Sequence, residues 1–355
     1  MESYQYSKAP RARQQRIFDD PRSYSAFPHV VRLEADELLL AFRQAPRHAA
    51  GVRHTHPRSL ITVIRSPDRG ATWKVDEAAQ LAAGGGQEFG LLYLGGGRVV
   101  GALAAHEVVP EIEAQRAGVP WTHPREYPFR NVGALWCWSD NYGLTWRVDR
   151  TILVGEHMQA CAPPIRRRDG TLMIPAYGVL GRGRTQSAVL YRSSDGGASW
   201  SGTVAIARGA PRTRAYQEPV LMEVAPGRLS CLLRVHDPKH PGIFWRCESA
   251  DGGDTWTKPA STGILSGACP RLLSLRDGRM LLTYGRRFEP CGIYAALSED
   301  GGRTFGNPWQ LRPAPDGDQG YTSSVEFDDG TILTTSYGKN PRGVTGITGT
   351  LWGPP

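Results

Sequence analysis

The sequence predicts an all-β protein folded as a six-bladed β-propeller, and two observations carry this prediction. The first is composition: the 355 residues include 42 glycines and 27 prolines, and few stretches show the apolar period of a helix. The second is an internal repeat in which two apolar, strand-like runs flank a turn. The repeat returns after roughly 50 to 70 residues, which is typical of propeller blades with several strands each.

The turn between the two runs marks each blade and places equivalent residues at one depth. Five turns carry a glycine, and a sixth, degenerate copy in residues 31–40 carries Glu37 instead. The turn glycines are Gly97, Gly170, Gly227, Gly278 and Gly330. The residues nine positions before them are Glu88, Cys161, Glu218, Cys269 and Tyr321. Six copies of the turn predict six blades.

A second repeated turn has the pattern S-x-D-x-G-x-T-W. It occurs, with small variations, at residues 66–73, 139–146, 193–200, 249–256 and 298–305. The Asp or Asn side chain accepts backbone N–H bonds within such a turn, and the glycine supplies a backbone angle that other residues resist. We therefore interpret these residues as turn formers without a catalytic role.

The chain is predicted to hold one large domain. Residues 1–24 are polar and basic and predict a loosely held N-terminal arm, and residues 25–355 form the propeller. A proline-rich insertion at about 107–130 predicts a surface loop that covers a pocket. Because five eight-residue turns serve six blades, we expect the last blade to combine the C-terminal strands with the N-terminal one, which hides edge strands.

Charge and composition indicate which classes of partner the chain can bind. The formal net charge of +8 favours an anionic partner such as a carboxylated sugar. The sequence lacks a basic run with interleaved aromatic residues, so we expect no nucleic-acid partner. It also lacks an apolar run of about 20 residues, so we expect no membrane partner. The six cysteines form no C-x-x-C pair and predict buried free thiols. Without an apolar leader segment, we expect a cytoplasmic protein.

The mouth of the central channel is the predicted site, because the inner strands of a propeller converge there. Equivalence of position predicts that Glu88, Glu218 and Tyr321 face one another across the axis. The predicted substrate-binding residues are Arg43, Gln87, Glu88, Gln159, Gln217, Arg234, Arg271 and Arg287. A water-filled polar channel without chemistry is the alternative.

The repeated eight-residue turn is the Asp box, and the chain from about residue 25 to 337 resembles the sialidase superfamily of six-bladed propellers. The resemblance implies a Glu–Arg pair, which Glu218 and Arg234 match, and a nucleophilic tyrosine in the last blade, which Tyr321 matches. In that couple the carboxylate takes the phenolic proton. A tyrosine suits an anomeric carbon that bears a carboxylate, because a carboxylate nucleophile would be repelled there.

The chain also departs from the sialidase pattern, which argues against a true sialidase. Ala26 stands where the first family arginine belongs, and the third falls near Pro290 and Cys291. Arg286 or Arg287 is predicted to supply the absent arginine. The loop from Arg43 to Ser59 holds no acidic residue for the family's acid/base aspartate.

Two histidines of that loop, His54 and His56, are the predicted general acids. Histidine can donate a proton near neutral pH without a shifted pKa. The alternatives are surface histidines or a metal site with a third ligand elsewhere. His106, His157 and His236 are weaker candidates near the expected rim, and no cofactor or metal is predicted.

Together these features predict a sialidase-like glycoside hydrolase that acts on a carboxylated sugar. Two alternatives remain open. One is a polysaccharide lyase on uronate-containing glycans, in which a tyrosine–histidine pair abstracts the proton next to a carboxylate. The other is a non-catalytic propeller that binds glycans.

Overall fold

The computed structural model describes residues 4–47, 56–82, 86–109, 111–117 and 128–354. Within these ranges six separate β-sheets each form one blade. Strands follow one another from the axis outward in chain order, with antiparallel pairing between the neighbours. The prediction of an all-β, six-bladed propeller is therefore confirmed.

The strands can be grouped by blade. Two strands precede the first blade: β1 (Ser7–Lys8) and β2 (Arg13–Phe18). Blade 1 contains β3 (Ser23–Arg32), β4 (Leu38–Pro46), β5 (Leu60–Ser66) and β6 (Lys74–Ala82). Blade 2 contains β7 (Phe89–Gly95), β8 (Arg98–Val108), β9 (Phe129–Ser139) and β10 (Ile152–Glu156). Blade 3 contains β11 (Ile165–Arg166), β12 (Leu172–Val179), β13 (Gln186–Ser193) and β14 (Ser201–Ala207). Blade 4 contains β15 (Ala215–Ala225), β16 (Arg228–His236), β17 (Ile243–Ser249) and β18 (Ala260–Leu265). Blade 5 contains β19 (Gly267–Ser274), β20 (Met280–Arg286), β21 (Gly292–Ser298) and β22 (Trp309–Pro313). Blade 6 contains β23 (Gly320–Glu326), β24 (Ile332–Lys339) and β25 (Thr345–Trp352).

The N-terminal segment is paired with two blades, so the expectation of a loose arm across residues 1–24 is wrong for this part of it. β2 pairs antiparallel with β25 and completes blade 6, as the predicted closure of the last blade requires. β1 pairs parallel with β22 at the outer edge of blade 5. Both strands cover an edge whose N–H and C=O groups would otherwise be unpaired.

The insertion at about 107–130 is described in part. It contains one short helix, α1 (Glu111–Ala117), between the end of β8 and the start of β9. Residues 118–127 of the insertion lie outside the described ranges. No helix in the described part of the chain is both long and apolar enough to span a membrane.

The Asp boxes form the turns that the sequence predicts. In blade 4, Asp251 accepts hydrogen bonds from the Ser249 hydroxyl (2.7 Å) and the Thr255 backbone N–H (3.0 Å). The Gly252 N–H donates to the Gly227 carbonyl at 2.7 Å, so the Asp boxes and the inner turns lie on one face of the propeller. We call it the turn face. The inner strands begin at the opposite face.

Apolar residues fill the space between neighbouring blades. Blades 1 and 6, for example, pack Phe27, Leu40 and Phe42 against Val325 and Phe327 in one buried cluster. All six cysteines are free and buried, which confirms that prediction.

Candidate active site

The inner strands of three blades have the same backbone irregularity near the axis. Phe27, Glu218 and Tyr321 stand at equivalent positions, and their φ angles are 58°, 44° and 45°. At each of them the register with the next strand shifts. Left-handed backbone at a non-glycine residue costs about 1–2 kcal/mol and is enriched at functional sites, and such bulges re-aim side chains.

Two of these residues, which the sequence predicted to meet, are in direct contact. The Tyr321 hydroxyl donates to Glu218 Oε1 at 2.6 Å. Arg234 Nη1 donates to the same carboxylate oxygen at 2.9 Å and lies within hydrogen-bond distance of Tyr321 Oη at 3.2 Å. The second oxygen, Glu218 Oε2, is buried and has no hydrogen-bond partner among the described residues. One acceptor of the carboxylate therefore remains available to a ligand or a proton.

The protonation states of this pair follow from its charges. Burial raises the pKa of Glu218, but the Arg234 charge and the hydrogen bond from Tyr321 outweigh it, so the pKa lies below its usual value. Burial and the Glu218 charge raise the pKa of Tyr321 well above 10. At neutral pH the carboxylate is ionised and the phenol is neutral, so a base stands next to its proton donor.

Arg287, in the loop between β20 and β21 of blade 5, also lies near the Tyr321 ring. Its Cζ is 5.6 Å from the Tyr321 ring centroid, and its Nη2 donates to the Tyr337 hydroxyl at 3.1 Å. The Arg287 and Arg234 side chains are both partly exposed. These two guanidinium groups can therefore offer N–H donors to an anion at Tyr321.

Arg271 and Glu88 form a buried pair at the axis. Arg271 Nη2 donates to Glu88 Oε2 (3.3 Å) and to the Cys161 carbonyl, and Nη1 donates to the Pro270 carbonyl (3.0 Å). Burial raises the pKa of Glu88 above its usual value despite the Arg271 charge. Because protein acceptors occupy both terminal nitrogens of Arg271, its contacts favour bracing of the strands over the carboxylate clamp that the sequence suggested.

The remaining predicted substrate-binding residues are held by protein contacts. Arg43 has no exposed surface and donates to Ser59 Oγ at 2.9 Å, so it offers nothing to a ligand in this conformation. Gln159 accepts a hydrogen bond from the Tyr177 hydroxyl at 2.5 Å. The other two glutamines, Gln87 and Gln217, are partly exposed near the starts of their blades, and their predicted contact with substrate stays a prediction.

The two predicted general acids have different outcomes. His54 lies outside the described residues. His56 is 2% exposed, and its Nδ1 accepts the Arg58 backbone N–H at 3.0 Å within a tight turn. An acceptor Nδ1 carries no proton, and so small an exposure leaves little access to a leaving group. Across the described ranges, no group of three or more His, Cys, Asp or Glu residues is arranged to hold a metal ion.

A cleft of about 460 Å³ adjoins the site between blades 4 and 5. Arg234 and His236 form part of its wall, together with Phe288, which sequence reasoning missed. Burial and the Arg234 charge lower the pKa of His236, so this imidazole is neutral at neutral pH. Another cavity, of about 410 Å³, lies on the turn face near Glu248 and does not include the Tyr321–Glu218 pair.

The fold and the axial site define a six-bladed propeller of the sialidase type. The chain belongs to the BNR repeat-like domain family, whose model matches residues 114–333. No curated protein matches the chain.

Solved structures share the fold over almost the whole chain. A protein of unknown function from Dyadobacter fermentans is 23% identical, with a TM-score of 0.83 over 96% of this chain and 99% of that one. The Hadza microbial sialidase Hz136 is 21% identical, with a TM-score of 0.69 over 93% of this chain and 66% of that one. An alpha-L-arabinofuranosidase from Fusarium graminearum is 14% identical, with a TM-score of 0.67 over 95% of this chain and 96% of that one. At these identities the likeness establishes a fold that glycosidases also use.

Proposed function

We propose that this protein is a glycoside hydrolase that cleaves a carboxylated sugar, with Tyr321 as nucleophile. The observation that carries the proposal is the 2.6 Å hydrogen bond from the Tyr321 hydroxyl to the ionised Glu218 carboxylate. A neutral phenol is a weak nucleophile until an adjacent base takes its proton. Both residues are held in strained backbone that the adjoining strands must stabilise.

The proposed reaction has two displacements. Tyr321 Oη forms a bond to the anomeric carbon as the glycosidic C–O bond breaks, and Glu218 takes the phenolic proton. The departing oxygen takes a proton from water or from a general acid, for which His54 remains a candidate. Water then attacks the anomeric carbon and gives its proton to the group that protonated the departing oxygen, and the released Tyr321 oxygen regains its own proton from Glu218. Two displacements retain the anomeric configuration.

A carboxylated sugar fits the charges of the site. Arg234 and Arg287 flank Tyr321 and have exposed surface for a carboxylate. Where a sialidase places its first arginine, this chain has the fully buried Ala26, and the adjacent Phe27 ring packs 4.8 Å from the Tyr321 ring. Two arginines in place of three support an acidic sugar other than the usual sialidase substrate.

A panel of 4-nitrophenyl and methylumbelliferyl glycosides of carboxylated sugars, with acidic oligosaccharides, tests the proposal. Tyr321→Phe is expected to lose turnover, and NMR of the native reaction is expected to show retained configuration. Tyr284→Phe is the matched control, because its hydroxyl is buried elsewhere without a hydrogen-bond partner among the described residues. Full turnover by Tyr321→Phe, or an inverted product, would defeat the proposal.

One observation keeps a lyase as a second candidate: the neutral His236 stands beside Arg234. In a β-elimination His236 would take the proton next to the carboxylate, and Arg234 would neutralise that carboxylate. The C–O bond to the neighbouring sugar then breaks, and Tyr321 protonates the departing oxygen. An ionised Glu218 beside Tyr321 opposes that last transfer, which is why we favour hydrolysis. An unsaturated, ultraviolet-absorbing product would reverse this choice, and binding without turnover would indicate a glycan-binding propeller.

A further inference from the structure

The cleft and the candidate active site share one side chain, that of Arg234. Arg234 contacts both Glu218 and Tyr321, and it also forms part of the cleft wall. The other lining residues are mostly apolar and include Val235, Pro238, Pro241 and Phe288, with Asp237 as the acidic member. Asp237 is already engaged by Arg214 at 2.6 Å. A ligand whose acidic group lies at Arg234 would therefore meet an apolar surface next to it.

The aromatic ring of this surface is held in a fixed place by two glycines. Gly242 and Gly267 both have a φ of +80°. A Cβ atom would lie 2.3 Å from Phe288 Cε2 if added at Gly242, and 2.9 Å from it if added at Gly267. Only residues without a side chain let the ring lie this close to both backbones.

The backbone that carries the ring is fixed as well. Arg286 donates to the carbonyls of Phe288 (3.1 Å) and Glu289 (2.7 Å). The Arg286 guanidinium in turn stacks over the Tyr6 ring at 4.4 Å. Phe288 nevertheless stays 38% exposed. Ordering a large apolar ring while leaving this much of it open is typical of a surface that binds another ring.

We propose that Phe288 is a stacking platform for the ring attached to the acidic sugar, either a second sugar or an aromatic aglycone. The position of that ring rests on the proposed function, since Arg234 must hold the carboxylate. The substrate class is then an acidic oligosaccharide or aryl glycoside, with a free acidic monosaccharide bound more weakly. Stacking of this kind corresponds to about 2- to 10-fold in affinity.

Calorimetric binding to the Tyr321→Phe variant tests this without turnover. The probes are pairs that share one acidic sugar: glucuronic acid with phenyl β-glucuronide, and galacturonic acid with digalacturonic acid. A neutral phenyl β-galactoside completes the set. The larger member of each pair is expected to bind about 2- to 10-fold more tightly. Adding Phe288→Ala is expected to remove this gain and leave the free acids unchanged.

Further variants test whether an effect of Phe288→Ala comes from the lost aromatic ring or from misfolding. Phe288→Trp is expected to keep the tighter binding of the larger probes. Phe288→Leu, which stays apolar but loses the aromatic face, is expected to lose most of it. Tyr142→Ala, on the turn face, removes an aromatic ring of similar exposure (40%) and is expected to change no affinity.

Each outcome separates the two proposals. Equal affinities within both pairs, or an equal loss for free acids and conjugates in Phe288→Ala, would overturn the platform. A gain for only one pair would identify its source, aryl group or second sugar. If the neutral galactoside bound as tightly as the glucuronide and depended on Phe288, the platform would stand and the carboxylated-sugar proposal would fail. Binding of no probe would overturn both.

Discussion

Removal of the Tyr321 hydroxyl can be measured without knowing the substrate, because its hydrogen bond also contributes to folding stability. Tyr321→Phe keeps the packed ring and deletes the donor that lies 2.6 Å from Glu218 Oε1. A hydrogen bond to a charged group contributes about 1.5–3 kcal/mol. For a chain of 355 residues the unfolding entropy is about 0.75 kcal/mol/K. The Tm is therefore expected to fall by about 2–4 °C.

The pH dependence of this loss follows from the carboxylate. The pKa of Glu218 in the folded protein lies below the usual 4.5, so the stability that its ionised form contributes is present above that value. It is lost as the pH falls through the folded-state pKa. The difference in Tm between native protein and Tyr321→Phe is expected to be constant near neutral pH and to narrow in acid.

Circular dichroism melts of a double-mutant cycle provide the assay. In the Glu218→Gln background, Tyr321→Phe is expected to cost less than in the native chain, because the charged acceptor is gone. Tyr284→Phe controls for the loss of a buried hydroxyl outside the site. An unchanged Tm in Tyr321→Phe at neutral pH, or strict additivity with Glu218→Gln, would refute the reasoning.

Three further predictions concern the arginines, the axial pair and the closure of the ring. Arg234→Lys and Arg287→Lys are each expected to raise KM for an acidic oligosaccharide about 10-fold or more, since lysine lacks the guanidinium fork; steady-state kinetics with unchanged KM would contradict this. Because the folded-state pKa of Glu88 is raised, its contribution to stability is present in acid and lost as the pH rises through that value. Glu88→Gln is expected not to show this loss of Tm, which in the native chain falls between about pH 4.5 and pH 8, and parallel pH profiles would count against it. Ile17→Ala in β2, where Ile17 is 7% exposed, is expected to lower Tm by about 3–7 °C. The exposed Arg13→Ala is its control, and no change in Ile17→Ala would indicate a weakly held strand.

The meeting of Glu218 and Tyr321 could be predicted because the repeat itself contains the geometry. Each residue precedes its turn glycine by nine positions, so the same number of residues separates each of them from the turn face and brings both to one height at the axis. That inference needs no knowledge of side-chain packing. The same counting gives the equivalence of Cys161 and Cys269, which contribute to the surroundings of Arg271.

The burial of individual arginines could not be predicted in this way. Arg271 finds its acceptors on blade 2 at Glu88 and before blade 3 at Cys161, and Arg43 packs against Ser59. Sequence spacing gives the height of such a residue but not the neighbours that enclose it. The sequence predicted that an N-terminal strand completes the last blade but assigned residues 13–18 to a loose arm, because β2 is an edge strand in which only Ile17 is buried and which lacks an alternating apolar pattern.

The pairing of β2 with β25 determines the order in which the ring can form. Gln14 lies opposite Thr350, so the partner of β2 is separated from it by 336 residues along the chain. Contacts of such long sequence separation are slow to form. Blade 6 can therefore close only after β25 has been synthesised, and a chain truncated before β25 would leave two unpaired strand edges that invite association with other molecules.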